Sequence, residues 1–220
     1  MTAGNDRGDG GNRDDTDGDG RTPSTMDLAS WRSLPALGPY DALLARLTGE
    51  PTWPPVTRLR LLLGADIDFV VPAGRLPAGL DDSDVDGSYI GWCVAGRVPT
   101  RERNLHDLMN ALTWARFPAA KMALCRRQVA VARARGRHTN RLRTREQDRL
   151  AMLDEGGILV VGGGTGTGGT SVGEVTFGHG LLEDLVRGRT SRGLRLPVDS
   201  ADDDGVARAM ASVLVSDLRS

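Results

Sequence analysis

The clearest pattern of hydrophobic and polar positions lies between residues 104 and 116. Four apolar side chains there follow the i, i+3, i+4, i+7 spacing of a helix with one buried face: Leu105, Leu108, Met109 and Leu112. Asn104 is a residue type that caps helix N-termini, so we predict that a helix begins there and ends just before Phe117. Such a helix carries a polar cluster beside its buried face: His106, Asp107 and Asn110.

Similar patterns predict further helices and a few short strands. Pro118 suits the first turn of a helix, and alternating β-branched residues are typical of strands. The predicted helices occupy a short segment between Pro39 and Gly49, then 104–116, 118–135, 142–152, a short segment from Gly178, and a segment after Ser200. The predicted strands occupy 67–71, 158–161 and 170–177, and residues 187–199 are predicted to be a connection. The chain is therefore expected to have a helix-dominated α+β fold.

The distribution of apolar residues predicts one domain with a tail. Residues 1–26 are acidic and glycine-rich and have few apolar side chains to bury. Burial therefore does not offset the conformational entropy that ordering would cost, and we expect disorder. Residues 27–220 are predicted to form a single domain whose amphipathic helices share a core.

A glycine-rich stretch interrupts that domain, and we predict a flexible insertion at 162–173. It contains a Gly-x-Gly-x-x-Gly match directly after a predicted strand. A dinucleotide site needs a helix to start at that point, whereas the following residues alternate like a strand. We therefore interpret the stretch as a flexible hairpin connection or a linker and expect no nucleotide cofactor.

Composition limits the partners and the cellular location that we expect for the protein. The formal net charge of −1 gives no overall field that would select nucleic acid, a membrane or an acidic partner. The two cysteines, Cys93 and Cys125, do not form a Cys-x-x-Cys pair, which argues against a disulfide framework or a thiolate zinc site. No apolar run approaches the roughly 18 residues of a membrane helix. The expectation is a soluble cytoplasmic protein with no membrane partner.

Basic residues are unevenly distributed. Residues 115–150 carry 11 basic residues against two acidic ones, Glu146 and Asp148. Lys121 lies in this stretch and is the one lysine among the 28 basic residues of the chain. Since lysine is a compact charge with a tunable pKa and arginine is a planar fork, we predict that an ammonium is needed at position 121. It would point towards Asp107 or towards the pair Asp154 and Glu155.

The candidate chemistry centres on two of the three histidines. His106 lies on the central helix and His179 opens a later one, and an imidazole serves as a base, a metal ligand or a buried hydrogen-bonding group. Asp154 and Glu155 stand at a helix end, where acidic side chains need a partner. That partner is either an arginine such as Arg101 or a metal ion shared with the histidines.

Several short motifs carry a family resemblance. They are Gly96-x-Val98-Pro99-Thr100-Arg101-x-x-Asn104-x-His106-Asp107-Leu108-x-Asn110-Ala111-Leu112-x-Trp114, Phe117-Pro118-x-x-Lys121, Asp148-x-Leu150, Leu153-Asp154-Glu155-x-Gly157 and Phe177-Gly178-His179-x-Leu181-Leu182-Glu183. In this order they resemble the bacterial domain-of-unknown-function family DUF 3025. The chain departs from the family pattern at Leu105, where the family usually has Trp, and at 162–173. Because that family is uncharacterised, the resemblance implies little about activity.

Two hypotheses about function follow. In the first, the protein is a hydrolase with an acid-base site formed by His106, Asp107, Asn110, Lys121 and His179. A divalent metal is then a candidate cofactor, with His106, Asp154, Glu155 and His179 as candidate ligands. In the second, it is a non-catalytic binding module whose arginine-rich stretch at 116–149 contacts nucleic-acid phosphates or an acidic protein.

Overall fold

Helices account for most of the described chain, and five short strands of this part form two small sheets. The structure is a computed structural model that describes residues 25–50, 52–74, 85–135, 144–162 and 173–212. Its elements are α1 (Leu28–Arg32), a 3₁₀ helix (Pro35–Tyr40), α2 (Asp41–Leu47), α3 (Val56–Leu63), β1 (Asp68–Val70), α4 (Tyr89–Val94), β2 (Arg97–Pro99), α5 (Leu105–Arg116), α6 (Pro118–Arg135), α7 (Arg145–Gly156), β3 (Gly157–Val161), β4 (Gly173–Thr176), α8 (His179–Val186), β5 (Leu194–Val198) and α9 (Asp203–Ser212). The predicted helix-dominated α+β fold is confirmed.

Helix α5 is the buried helix that the sequence predicts. Asn104 caps it, because its side-chain oxygen accepts a 2.9 Å hydrogen bond from the backbone N–H of Asp107. Nine of its twelve residues are buried. Its apolar side chains join one core cluster with Leu124 of α6, Leu159 of β3 and Val206 of α9. His106 is among the few residues of α5 outside that buried set, so it reaches the surface of the core helix.

Helix α6 is tied at its start to the far end of the chain. Pro118 occupies its first position, as predicted. The backbone amides of Ala119 and Ala120 donate to the carboxylate of Asp203, at 2.8 and 2.9 Å. Asp203 belongs to the first turn of α9, so one carboxylate satisfies the N-terminal amides of a helix 83 residues earlier in the sequence.

The larger sheet has the strand order β4-β3-β5. Strands β3 and β4 are antiparallel, which confirms the predicted hairpin in the strands that flank the glycine-rich stretch. Strand β5 pairs in parallel with β3, so the prediction of an irregular connection over 187–199 is wrong. Leu194, Leu196 and Val198 alternate inward, and Pro197 is tolerated because β5 is an edge strand of this sheet.

Parts of the predictions fall outside the described residues. These are residues 1–24 of the predicted disordered tail, 136–143 of the arginine-rich stretch, which include the first two residues of the predicted helix 142–152, and 163–172 of the predicted insertion. None of the helices within the described ranges is long and apolar enough to cross a membrane.

Candidate metal centre

Three side chains from three different helices converge on one point. His106 comes from α5, Glu155 from the end of α7, and His179 from the first position of α8. The Nε2 atoms of the two histidines are 3.0 Å apart. Glu155 Oε2 lies 3.4 Å from His179 Nε2 and 3.7 Å from His106 Nε2. The imidazole rings meet edge to face, with centroids 4.5 Å apart.

Two glycines allow α8 to approach the end of α7 this closely. A Cβ at Gly178 would lie 2.5 Å from the backbone oxygen of Glu155 and 2.3 Å from the amide nitrogen of Gly157. A Cβ at Gly180 would lie 2.7 Å from Glu155 Oε2. Because His179 stands between these two glycines, the close approach brings its ring directly to the Glu155 carboxylate.

A second carboxylate holds the ring of His106. His106 Nδ1 lies 2.9 Å from Glu183 Oε2, and the other oxygen of Glu183 accepts a 2.9 Å hydrogen bond from Arg187 Nε. An ionised carboxylate only accepts hydrogen bonds, so Nδ1 of His106 carries a proton. In the neutral ring Nε2 then has a free lone pair, and it points at His179 and Glu155.

The electrostatics of the cluster favour an ionised Glu155. Burial raises the pKa of Glu155, but the hydrogen bond and charge of His179 and the nearby charges of His106 and Lys121 outweigh it and lower the pKa to about 2. Burial also lowers the pKa of His106, yet the hydrogen bond to Glu183 and the surrounding carboxylates raise it above its ordinary value. Both directions have the same cause, which is the close contact between imidazoles and carboxylates.

Behind this cluster lies a buried polar network around Lys121. Its ammonium donates to Asp154 Oδ1 at 2.5 Å and to Asn110 Oδ1 at 2.9 Å, and the side chain is only 1% exposed. Asn110 in turn donates to the Tyr89 hydroxyl at 2.5 Å. Since Asp154 immediately precedes Glu155, the ion pair fixes the last turn of α7. Of the two partners predicted for Lys121, the structure shows the Asp154–Glu155 pair, through Asp154, and not Asp107.

Asp107 has a separate partner. Its carboxylate accepts hydrogen bonds from the backbone N–H, Nε and Nη2 of Arg101, at 2.6, 3.0 and 3.1 Å. The hypothesis that Arg101 pairs with Asp154 or Glu155 is therefore wrong. The arginine lies at the start of α5, where Asp107 holds the chain that leads into the helix.

A cleft of about 490 Å³ opens next to the three converging side chains. Its lining residues come from α5, α7, α8 and the segment before β5: His106, Met152, Glu155, Gly156, Gly180, Leu181, Glu183, Asp184, Ser191, Arg192, Gly193 and Leu194. The side chain of His179 is 5% exposed and that of Glu155 is 54% exposed. His179 thus closes the inner side of the cluster, while His106 and Glu155 face the cleft.

The structure separates the residues that the sequence grouped together. It brings His106, Glu155 and His179 to one point, and it places Asp107, Asn110, Lys121 and Asp154 in hydrogen-bonded pairs. Glu183 was missed as a site residue. A signal for it exists, because it stands four residues after His179 and therefore on the same face of α8.

These features define a helix-dominated α+β protein with a paired-histidine and carboxylate centre at the side of a cleft. Residues 83–165 match the model of a family described as "Protein of unknown function (DUF3025)", which supports the resemblance seen in the motifs. The matched range contains His106 and Glu155 and ends before His179. Comparisons with curated proteins and with solved structures return no match.

Proposed function

We propose that the protein is a metal-dependent hydrolase in which His106, Glu155 and His179 hold a divalent transition ion. The observation that carries the proposal is the spacing of the three ligand atoms, 3.0, 3.4 and 3.7 Å. A point equidistant from atoms at these separations lies about 2.0 Å from each, which is the bond length of Zn²⁺ to nitrogen and carboxylate oxygen. The ligand edges of a tetrahedral zinc site are about 3.3 Å.

The surroundings of the ligands support the same proposal. Metal-bound histidines commonly donate their second N–H to a carboxylate, which fixes the tautomer and the ring orientation. Glu183 has this relation to His106, and Arg187 holds Glu183 in turn. Two imidazoles and one carboxylate are also a ligand set of catalytic zinc sites, which keep a further position open.

The open position would face the cleft, since His106 and Glu155 line it and His179 closes the inner side. A divalent ion with such an open position polarises a carbonyl or phosphoryl oxygen and activates water for attack. In this proposal Asp107, Asn110, Lys121 and Asp154 position the helices that carry the ligands. They are not assigned a role at the reacting atoms.

The direct test is metal binding by the purified full-length chain. We expect one Zn²⁺ per chain by elemental analysis after equilibrium dialysis, and we expect Glu155→Gln and His179→Ala to lower the affinity at least a hundredfold. Glu174→Gln is the matched control, because Glu174 of β4 pairs with Arg195 of β5 and is not one of the proposed ligands. Wild-type protein that binds no Zn²⁺, Co²⁺ or Mn²⁺ would refute the proposal and leave the cluster as a set of hydrogen bonds and ion pairs.

The second hypothesis, binding through the arginine-rich stretch at 116–149, has less support. Arg127 pairs with Glu146, and Arg133 pairs with Asp86, so part of the positive charge is already matched. A fluorescence anisotropy titration with single-stranded RNA at two salt concentrations would test it. Salt-sensitive binding in the micromolar range would favour this hypothesis.

A further inference from the structure

The acidic side chains of the cleft already have partners. Glu183 contacts His106 and Arg187, and Glu155 contacts the two histidines. Asp184 accepts from Arg189 Nε at 2.8 Å and from the hydroxyl of Ser191. The negative charge that lines the cleft is therefore matched within the protein.

The remaining charged side chain of the lining is a cation. Arg192 is exposed in the cleft, and among the described residues no carboxylate pairs with it. Its backbone is held beside the centre, because a Cβ at Gly193 would lie 2.5 Å from the backbone oxygen of Gly156. Gly156 directly follows Glu155, so Arg192 stands next to the end of α7 that supplies a ligand.

The rest of the lining offers an apolar surface. Leu181 and Leu194 are buried beneath the cleft, and Met152 is 53% exposed at its side. The unbranched side chain of methionine adapts to apolar groups of different shape. The cleft thus combines one free cation with an apolar wall.

We infer that the substrate is a small acylated carboxylic acid, with its carboxylate at Arg192 and an apolar group against Met152, Leu181 and Leu194. The inference rests on the proposed function. A divalent ion with two neutral imidazoles and one carboxylate retains one positive charge, and Arg192 adds a second, so the loaded cleft favours an anion. The planar guanidinium fork matches a carboxylate with two parallel hydrogen bonds.

A phosphate monoester fits the same surface less well. Its second negative charge would need a further donor, and the other charged side chains of the described lining are already paired or belong to the proposed metal centre. The cleavable bond is then an amide or ester of the acyl group. Water adds to the acyl carbon, the acyl–nitrogen or acyl–oxygen bond breaks, and the leaving group takes up the proton released by the water.

The test compares two probes that differ in one charge. Zn²⁺-loaded protein is titrated by calorimetry with N-acetyl-L-leucine and with its neutral amide, N-acetyl-L-leucinamide. We expect the carboxylate to bind at least tenfold more tightly, because a charge-assisted hydrogen bond pair is lost in the amide. Arg192→Gln should reduce this preference to what the charge of the ion alone supplies and leave the Zn²⁺ content unchanged. Arg195→Gln is the matched control, since Arg195 lies on β5 and pairs with Glu174.

The possible results of these titrations test the role of Arg192, the substrate class and the proposed function separately. Equal affinity for the two probes, or a preference of undiminished size in Arg192→Gln, overturns the assignment of Arg192 and of the substrate class while Zn²⁺ binding stands. Tighter binding of benzyl phosphate than of N-acetyl-L-leucine overturns the carboxylate in favour of a phosphate ester. Wild-type protein without Zn²⁺ refutes the proposed function itself, and the inference falls with it.

Discussion

Replacement of Lys121 should be among the most destabilising single changes in the described core. Its ammonium is 1% exposed and makes two hydrogen bonds, to Asp154 and Asn110. Aromatic rings flank it, with the ring centroids of Trp114 and Phe177 5.6 and 6.0 Å from the nitrogen. Lys121→Met keeps most of the length of the side chain and removes the charge, so the loss of the ion pair dominates its effect.

The expected loss of stability depends on the groups that remain around position 121 after each substitution. In Lys121→Met the Asp154 carboxylate stays largely buried without its cation, and removal of one partner of a buried ion pair costs about 3–5 kcal/mol. Lys121→Arg keeps the charge but forces a larger planar group between the two rings, and such overpacking costs about 1–3 kcal/mol. For a chain of this size each kcal/mol corresponds to roughly 2–4 °C in Tm. The expected falls are therefore about 6–20 °C for Met and about 2–12 °C for Arg.

Thermal and urea unfolding of the full chain, followed by circular dichroism, measure these changes. Arg32→Lys is the control, since the Arg32–Asp41 pair is exposed and the exchange should alter stability by no more than about 0.5 kcal/mol. The double variant Lys121→Met with Asp154→Leu should recover part of the loss, because no charge is left without a partner. A Lys121→Arg protein with wild-type stability would refute the reasoning that this site requires an ammonium.

Two further changes probe the proposed metal centre through residues outside the proposed ligand set. Glu183→Gln should lower the affinity for Zn²⁺ about 10- to 100-fold, because it weakens the hydrogen bond that orients His106. Competition with a chromophoric chelator measures this affinity, and an unchanged value would contradict the orienting role of Glu183. Gly180→Ala should also weaken Zn²⁺ binding, since its Cβ would displace the Glu155 carboxylate, whereas Gly38→Ala, where a Cβ meets nothing within 4 Å, should not. A Gly180→Ala protein that binds Zn²⁺ like wild type would show that the carboxylate does not need its observed position.

Local sequence was sufficient to predict the two central helices. Asn104 and Pro118 set their starts, and the apolar spacing of α5 set its buried face, because caps, prolines and helical periodicity act over a few residues. The same local rules failed at β5. There Pro197 and the surrounding arginines and glycines are typical of a connection, and only pairing with β3 makes the segment a strand.

For the candidate centre, too, local sequence predicted one part and tertiary packing decided the other. The sequence alone singled out His106 and His179, which are two of three histidines and lie in the motifs, and Asp154 and Glu155, which stand at a helix end where acidic side chains need a partner. Consecutive residues of a helix point about 100° apart, so the two carboxylates cannot both face the histidines. The packing of α7 against its neighbours decides that Asp154 meets Lys121 and Glu155 meets the imidazoles. Contacts between helices that lie far apart in the chain depend on how the whole core packs, and only the tertiary structure specifies them.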